Sequence, residues 1–414
     1  MPKPRLATLY PDVIAGLTVA LVALPLALAF GQASGLGAHA GITTAIIAGF
    51  LAAAFGGSRF QVSGPTGAMT VVLIPIATSL GTSAVLFVGL LAGTFLVVAG
   101  TLRIGHHVHR LPTSVIEGFT AGIALVIAMQ QIPTAFGVNV SAQPKVWETA
   151  LAGIESWFAK PDFTSISIAI SVAALVYLGN HRWARVPVGI VVLLVATFVT
   201  QVTHLRVTTV AKLPSGVGTL DFDFLGQWQN WGHLLVPALA VAALAALESL
   251  LSAKVADKMR GDGTEHNSDR ELIGQGIANL AVPFFGGVPA TAALARTAVN
   301  VRSGAQTRLA AILHSVFLAG IVILLADFVQ LLPMPALAGV LLSTAAQMIK
   351  PSELLLQIKR SKLDGLVLIL TLTLTVTTDL TTALVVGAIC WLLLRNTNLN
   401  DSLPSVDQDE TLGD

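Results

Sequence analysis

The sequence predicts an all-α integral membrane protein of about fourteen transmembrane segments. Three observations carry that expectation. Of 414 residues, 54% are hydrophobic and only 11% charged, and mean hydropathy is +0.79, whereas a soluble domain carries about 25% charged residues. Apolar runs near the ~20 residues needed to cross a bilayer recur along the whole chain. Lysines and arginines then gather on one side of the membrane that those runs define. The same composition excludes a disordered chain, and a net charge of +1 offers no basic surface to nucleic acid. Cys390 is the only cysteine, so neither an intrachain disulfide nor a cysteine-rich metal site is available.

Long apolar runs lie near 12–31, 81–102, 113–136, 165–180, 186–203, 233–253, 309–326 and 365–394. Shorter ones lie near 40–55, 66–79, 271–285, 290–301 and 335–349. The first begins after only Lys3 and Arg5 and lacks a clear small-residue cleavage site, so it reads as a membrane helix rather than a removed signal peptide. The last is long enough to fold back near Thr378-Asp379 and count as two. Within it, Thr371-Leu372-Thr373-Leu374-Thr375 alternates like a strand. An open strand edge in lipid leaves backbone groups unpaired, so helix is predicted, with the threonines packed on neighbouring helices. The longest polar stretches are the outer loops 137–163 and 204–231, and 397–414 reads as a polar tail.

Charge placement orients the map. With the N-terminus inside, eighteen of the 23 Lys and Arg residues fall on the cytoplasmic side. Lys145, Lys160, Arg206 and Lys212 fall outside, and Arg296 is left within the membrane. The chain is expected to cross the membrane many times with both termini cytoplasmic.

The chain also echoes itself. Phe55-Gly56-Gly57 precedes Ser63-Gly64-Pro65-Thr66-Gly67 and a short apolar run, while Phe285-Gly286-Gly287 precedes Val288-Pro289-Ala290-Thr291 and another. These runs are the third and tenth segments, each third in a set of seven. A seven-plus-seven inverted repeat follows, with half-helices at segments 3 and 10 and room for short strands before them. Interrupted segments at matching positions in two halves mark a transporter's midplane site.

Two half-helices meeting head to head bring two N-termini together, each worth about half a positive charge. Their unpaired N–H groups suit an anion. Gly67 and Ala68 on one side, and Ala292, Ala293 and Ala295 on the other, allow close backbone approach, and Arg296 adds a full charge. Glu248 is the only charged residue between Val236 and Leu251, deep in the eighth segment, where a carboxylate is costly and by default functional. Ser252 is four residues on, hence on the same helix face. Glu248 reads either as a coupling site, binding a cation or a proton, or as a permanent ion-pair partner of Arg296.

Five segments carry a resemblance. They are Ala23-Leu24-Pro25-Leu26-Ala27-Leu28-Ala29-Phe30-Gly31, Gly64-Pro65-Thr66-Gly67, Leu247-Glu248-Ser249-Leu250-Leu251, Asn267-Ser268-Asp269-Arg270-Glu271-Leu272 and Arg296-Thr297-Ala298-Val299-Asn300. In these the chain resembles the sulfate permease (SulP) family of anion transporters, bacterial relatives of the animal solute-carrier anion exchangers. The resemblance implies a core of residues 1–110 and 232–330, a gate of 111–205 and 331–396, an extracellular loop at 206–231, elevator-like sliding of core against gate, and a homodimer. It places the substrate cavity at Phe30, Gln32, Thr66, Gly67, Ala68, Ala293, Leu294, Ala295 and Arg296, and the coupling carboxylate at Glu248. Family chains carry a C-terminal STAS domain; nothing of that length follows Arg395, so the sequence reads as the membrane domain.

The function expected is secondary active transport of a small anion: sulfate, bicarbonate or a dicarboxylate. Between 290 and 296 only Thr291 offers a hydroxyl, and Leu294 stands where another would help a sodium cage. Proton coupling is therefore the first choice, with no cofactor; sodium-coupled bicarbonate symport and an uncoupled exchanger or channel are the alternatives. No Lys follows a Gly anywhere, which excludes a phosphate-binding GxxxxGK loop, and no nucleophile–base pair marks an enzyme. His106, His107 and His109 read as a basic loop rather than a metal cluster, and His314 and Asp379 as helix–helix contacts.

Overall fold

The computed structural model describes residues 6–105, 112–140, 145–183, 188–210, 220–378 and 380–394. The His106–His109 loop, Asp379 and the 397–414 tail lie outside the described residues. The chain enters as α1 (Leu6–Ala33) and α2 (Ala38–Phe55), forms a two-residue strand β1 (Ser63–Gly64), and continues as α3 (Gly67–Leu80), α4 (Thr82–Thr101) and α5 (Thr113–Ala135). A surface helix α6 (Val146–Ala159) precedes α7 (Phe163–Arg182) and α8 (Val188–Val202). The second half runs α9 (Trp231–Arg260), α10 (Ser268–Ala281), β2 (Thr291–Ala292), α11 (Leu294–Arg302), α12 (Leu309–Val329) and α13 (Met334–Met348). Then come α14 (Pro351–Arg360), α15 (Lys362–Thr377) and α16 (Leu380–Leu394).

Among the described residues, six helices, α1, α2, α4, α5, α7 and α9, are long and apolar enough to cross a membrane. Others are shorter: α3 and α10 have 14 residues and α11 has 9. At 1.5 Å per residue, 14 residues reach about 21 Å, short of the ~30 Å hydrocarbon core. Such segments depend on neighbours to complete their backbone hydrogen bonds.

Two helices were not foreseen. Residues 146–159 fall in the expected outer loop, yet form α6, whose buried Gly153 packs against Pro133 of α5. Residues 351–360 form the second, α14. Both are amphipathic and short, so hydropathy summed along the chain hides their apolar rows. Each follows the fifth apolar helix of its half of the chain.

The threonine-rich stretch is helical. Thr371 and Thr375 are buried one turn apart in α15, and their hydroxyls donate to the carbonyls of Val367 and Thr371. A Cβ on Gly122 of α5 would lie 2.5 Å from Thr375 Cβ, so the two helices meet at that glycine.

Helices pack in two sets. α1, α2, α4, α9, α10 and α12 interlock around the strands, while α5, α7, α13 and α15 form the other body; α1 against α13 and α3 against α5 join them. A buried carboxylate gathers the start of the irregular stretch before β1. Glu271 of α10 accepts from the N–H groups of Gly57 and Ser58 at 2.8 and 2.9 Å, and from the amides of Gln61 and Gln275. The stretch before β2 is held by Thr44 of α2, which donates to the Val288 carbonyl at 2.9 Å, and by Asn279, which donates to Ala290 O and accepts from Ala290 N. Each half of the chain thus secures the break in the other.

Removing the acceptor at Glu271 strands the Gly57 and Ser58 N–H groups at about 1–3 kcal/mol each. Glu271→Leu is expected to lower the thermal unfolding midpoint of the purified protein sharply, with Glu271→Gln, which keeps one acceptor, in between. A Glu271→Leu protein that melts like wild type would remove the latch from the account.

Candidate functional site

The strands pair antiparallel, Ser63 with Ala292 and Gly64 with Thr291. The ladder continues on one edge, where Ala293 N donates to Val62 O at 2.9 Å. Because α3 and α11 start just beyond their strands, the antiparallel pairing brings two helix N-termini to opposite ends of one two-residue ladder. At α3, Thr66 is the N-cap and its hydroxyl accepts from Met69 N at 3.3 Å. That leaves the first N–H groups, of Gly67 and Ala68, without a helical acceptor. At α11 the N-cap is Ala293, which has no side-chain oxygen to offer, so the N–H groups of Leu294 and Ala295 stand likewise. Ala68 is 2% exposed and Leu294 50%, so the start of α3 is buried and that of α11 is open.

Arg296 occupies the first turn of α11 and is 1% exposed. Its Nη2 donates to the Pro65 carbonyl, while Nε and Nη1 have no protein partner. The guanidinium reaches that carbonyl only because residue 64 is glycine: a Cβ there would sit 2.6 Å from Nη1. The next turn is anchored by Asn300, which donates to Phe60 O at 2.7 Å, and by Thr297, which accepts from Val62 N at 3.1 Å. A buried cation with unspent donors, in the first turn of one of two uncapped helix starts, suits an oxyanion.

Glu248 meets the site from α9. Its Oε2 accepts from the Thr66 hydroxyl at 3.0 Å. One hydroxyl therefore joins the carboxylate to the cap of α3. Glu248 makes no ion pair with Arg296 within 4.0 Å among the described residues, whose ion pairs are Arg260–Asp262, His266–Asp257 and Lys350–Glu353. The neighbouring serines serve the scaffold. Ser249 meets the Thr291 hydroxyl at 3.1 Å and accepts from Ala292 N, and Ser252 donates to Thr297 at 3.1 Å.

The structure thus brings Thr66, Gly67, Ala68, Ala293, Leu294, Ala295, Arg296 and Glu248 together. Ser252, one turn on from Glu248 as expected, bonds across to α11. Phe30 backs the pocket: a Cβ on Gly67 would lie 3.2 Å from its ring and 2.2 Å from Ile127 of α5. Gln32 stands apart, lining a cavity of about 300 Å³ with Gln130, Gln131 and Thr134 of α5. The Thr66–Glu248 bond escaped the sequence, since the two residues are 182 positions apart. Its one available signal was Thr66 ahead of an apolar run, a capping pattern.

A bundle with two broken segments whose half-helix N-termini converge on one buried cation defines a carrier-type membrane transporter. Comparison with known proteins agrees. The sulfate permease family pattern matches residues 9–371. YvdB of Bacillus subtilis (strain 168), named for sulfate transport, is 34% identical over 383 residues, 91% of this chain and 72% of YvdB. The bicarbonate transporter BicA of Picosynechococcus sp. is 31% identical over 392 residues, 91% of this chain and 68% of BicA. The solved transmembrane domain of a cyanobacterium bicarbonate transporter BicA superposes with a TM-score of 0.82 at 29% identity, over 92% of this chain and 98% of that one. SLC26A9 shares the fold, with a TM-score of 0.86 at 18% identity over 95% of this chain and 66% of that one. The chain belongs to the sulfate permease family; it is a multi-pass membrane transporter and not an enzyme.

Gly64→Ala tests the geometry without touching a charge. The added methyl pushes the guanidinium off Pro65, and charge-assisted hydrogen bonds of this kind are worth about 1.5–3 kcal/mol. Anion binding to the purified variant, measured by calorimetry, is expected to weaken about tenfold. Unchanged affinity would mean that Arg296 is not held there by Gly64.

Proposed function

We propose that the protein is a secondary active transporter of small oxyanions, sulfate, bicarbonate or a dicarboxylate, which carries a proton with its anion. The observation that carries the reading is the pairing of β1 with β2, which brings two helix N-termini and Arg296 to one short ladder. The names of the relatives, sulfate transport for YvdB and bicarbonate transport for BicA, supply the anion class. In this reading the helices around the strands slide as a core against the body of α5, α7, α13 and α15, in the manner of an elevator. The lysine- and arginine-rich end faces the cytoplasm, both termini with it, and the unit in a bacterial inner membrane is a homodimer.

Glu248 is the coupling group. Its carboxylate accepts from Thr66, and the same hydroxyl accepts from Met69 N. A protonated Glu248 no longer demands the Thr66 proton, so the cap of α3 and the acid respond together. Sodium is the second choice, because the Thr291 hydroxyl is engaged by Ser249 and the Ala245 carbonyl. Sodium-coupled bicarbonate symport and an uncoupled exchanger or channel are the rival readings.

Tracer uptake into proteoliposomes, with proton and sodium gradients imposed separately, separates these. Arg296→Ala is expected to lose tenfold or more in affinity for the carried anion, since one charge-assisted contact is worth about 1.5–3 kcal/mol. Normal binding and uptake by that variant would place the site elsewhere. Glu248→Gln, a mimic of the protonated acid, is expected to lose accumulation driven by a pH gradient while retaining anion-for-anion exchange. Full pH-driven accumulation by the variant would remove Glu248 from coupling. Wild-type uptake that follows sodium at fixed pH would favour the sodium symporter, and indifference to both gradients the uncoupled conductor.

A further inference from the structure

Behind the anion site lies a histidine that the reading above does not use. His314 of α12 is 0% exposed, and neither of its ring nitrogens has a protein partner. A buried imidazole with both nitrogens unspent is uncommon enough to need a reason. A Cβ placed on Gly49 of α2 would lie 2.6 Å from Ser315 Oγ, 3.2 Å from the Ser63 carbonyl oxygen and 3.9 Å from His314 Cε1. One turn earlier on α2, the Ala45 carbonyl accepts from Ser315 Oγ at 3.4 Å. The Cα of Ala45 is 3.3 Å from the Cβ position of Gly64, the same position that lies 2.6 Å from Arg296 Nη1. Imidazole and guanidinium are thus both buried against α2 and β1, linked through Gly49, Ser63 and Gly64.

The two side chains are complementary in what they leave unspent. Arg296 brings donors on Nε and Nη1, and a neutral imidazole brings one acceptor. An imidazolium would instead repel the guanidinium. Buried polar compartments of this kind hold ordered water that joins such groups.

We propose that His314 is a positioning residue for Arg296: a neutral imidazole, it accepts through a bridging water from the guanidinium edge that Pro65 does not hold. The guanidinium is then fixed from two sides, and its charge stays aimed at the starts of α3 and α11. The inference rests on the transport reading above, because it assigns His314 a part in anion affinity.

The test uses radiolabelled sulfate and bicarbonate as probes in proteoliposomes, with KM and maximal rate measured separately. His314→Phe keeps a flat ring and loses both nitrogens. KM for the carried anion is expected to rise about tenfold, on the scale of one hydrogen bond to a charged group, with the maximal rate little changed. His314→Gln, which retains an acceptor, is expected to restore most of the affinity. His314→Leu replaces the Phe variant if the latter does not reach the membrane folded. An apolar variant with wild-type KM overturns the proposal. So does an equal rise in KM for the apolar and Gln variants, which would report packing alone, or a loss confined to maximal rate. A wild type that carries neither probe, nor radiolabelled succinate as a dicarboxylate, overturns the transport reading and this inference with it, an outcome distinct from the other three.

Discussion

No backbone polar group can be left unpaired in the middle of a membrane, because hydrocarbon offers it nothing. The site depends on breaking that rule in a controlled way. Around residues 56–66 and 286–293 the chain abandons the helix, and every donor and acceptor released there has to be met by protein. Glu271, Thr44, Asn279, Asn300 and Thr297 meet them, and the two strands meet each other. The first N–H groups of α3 and α11 have no helical acceptor, and Nε and Nη1 of Arg296 have no protein partner. The candidate anion site lies at this break.

The charges divide between scaffold and site by how they are satisfied. Glu271 is 1% exposed and surrounded by four donors, two of them backbone N–H groups, so it behaves as a fixed structural acceptor. Glu248 has one donor, a rotatable hydroxyl, and keeps partial exposure. Arg296 has one firm acceptor and two free edges. Groups held by a single adjustable contact can change partner during a cycle, whereas groups held by four cannot do so cheaply.

Most of the spanning segments were legible, because hydropathy and charge asymmetry are properties of the chain that solvent imposes directly. The meeting of Arg296 with the start of α3 at Gly67 and Ala68 was anticipated, since a lone intramembrane charge and interrupted segments stand out locally. Ser252 lies one turn on from Glu248 in α9, as helical periodicity predicts, but its bond to Thr297 across to α11 was not legible. Partners such as Thr66 with Glu248, or Glu271 with Gly57, could not be read, because nothing local encodes a contact across more than 180 residues. The amphipathic α6 and α14 were missed for a different reason. Their apolar residues lie on one face, which a linear average dilutes.

The cross-latching of the two breaks bears on how the chain is made. When α1 to α8 have left the ribosome, β1 has no partner strand, and Gly57 and Ser58 have no carboxylate, since β2 and Glu271 are still to be synthesised. Segment 3 must therefore wait at the membrane in an incomplete form, sheltered by water, lipid headgroups or the insertion machinery. Only after α10 and β2 arrive can it settle. The binding pocket is then among the last features to form during biogenesis, and a chain interrupted before residue 292 leaves behind a membrane protein with spanning helices and no site.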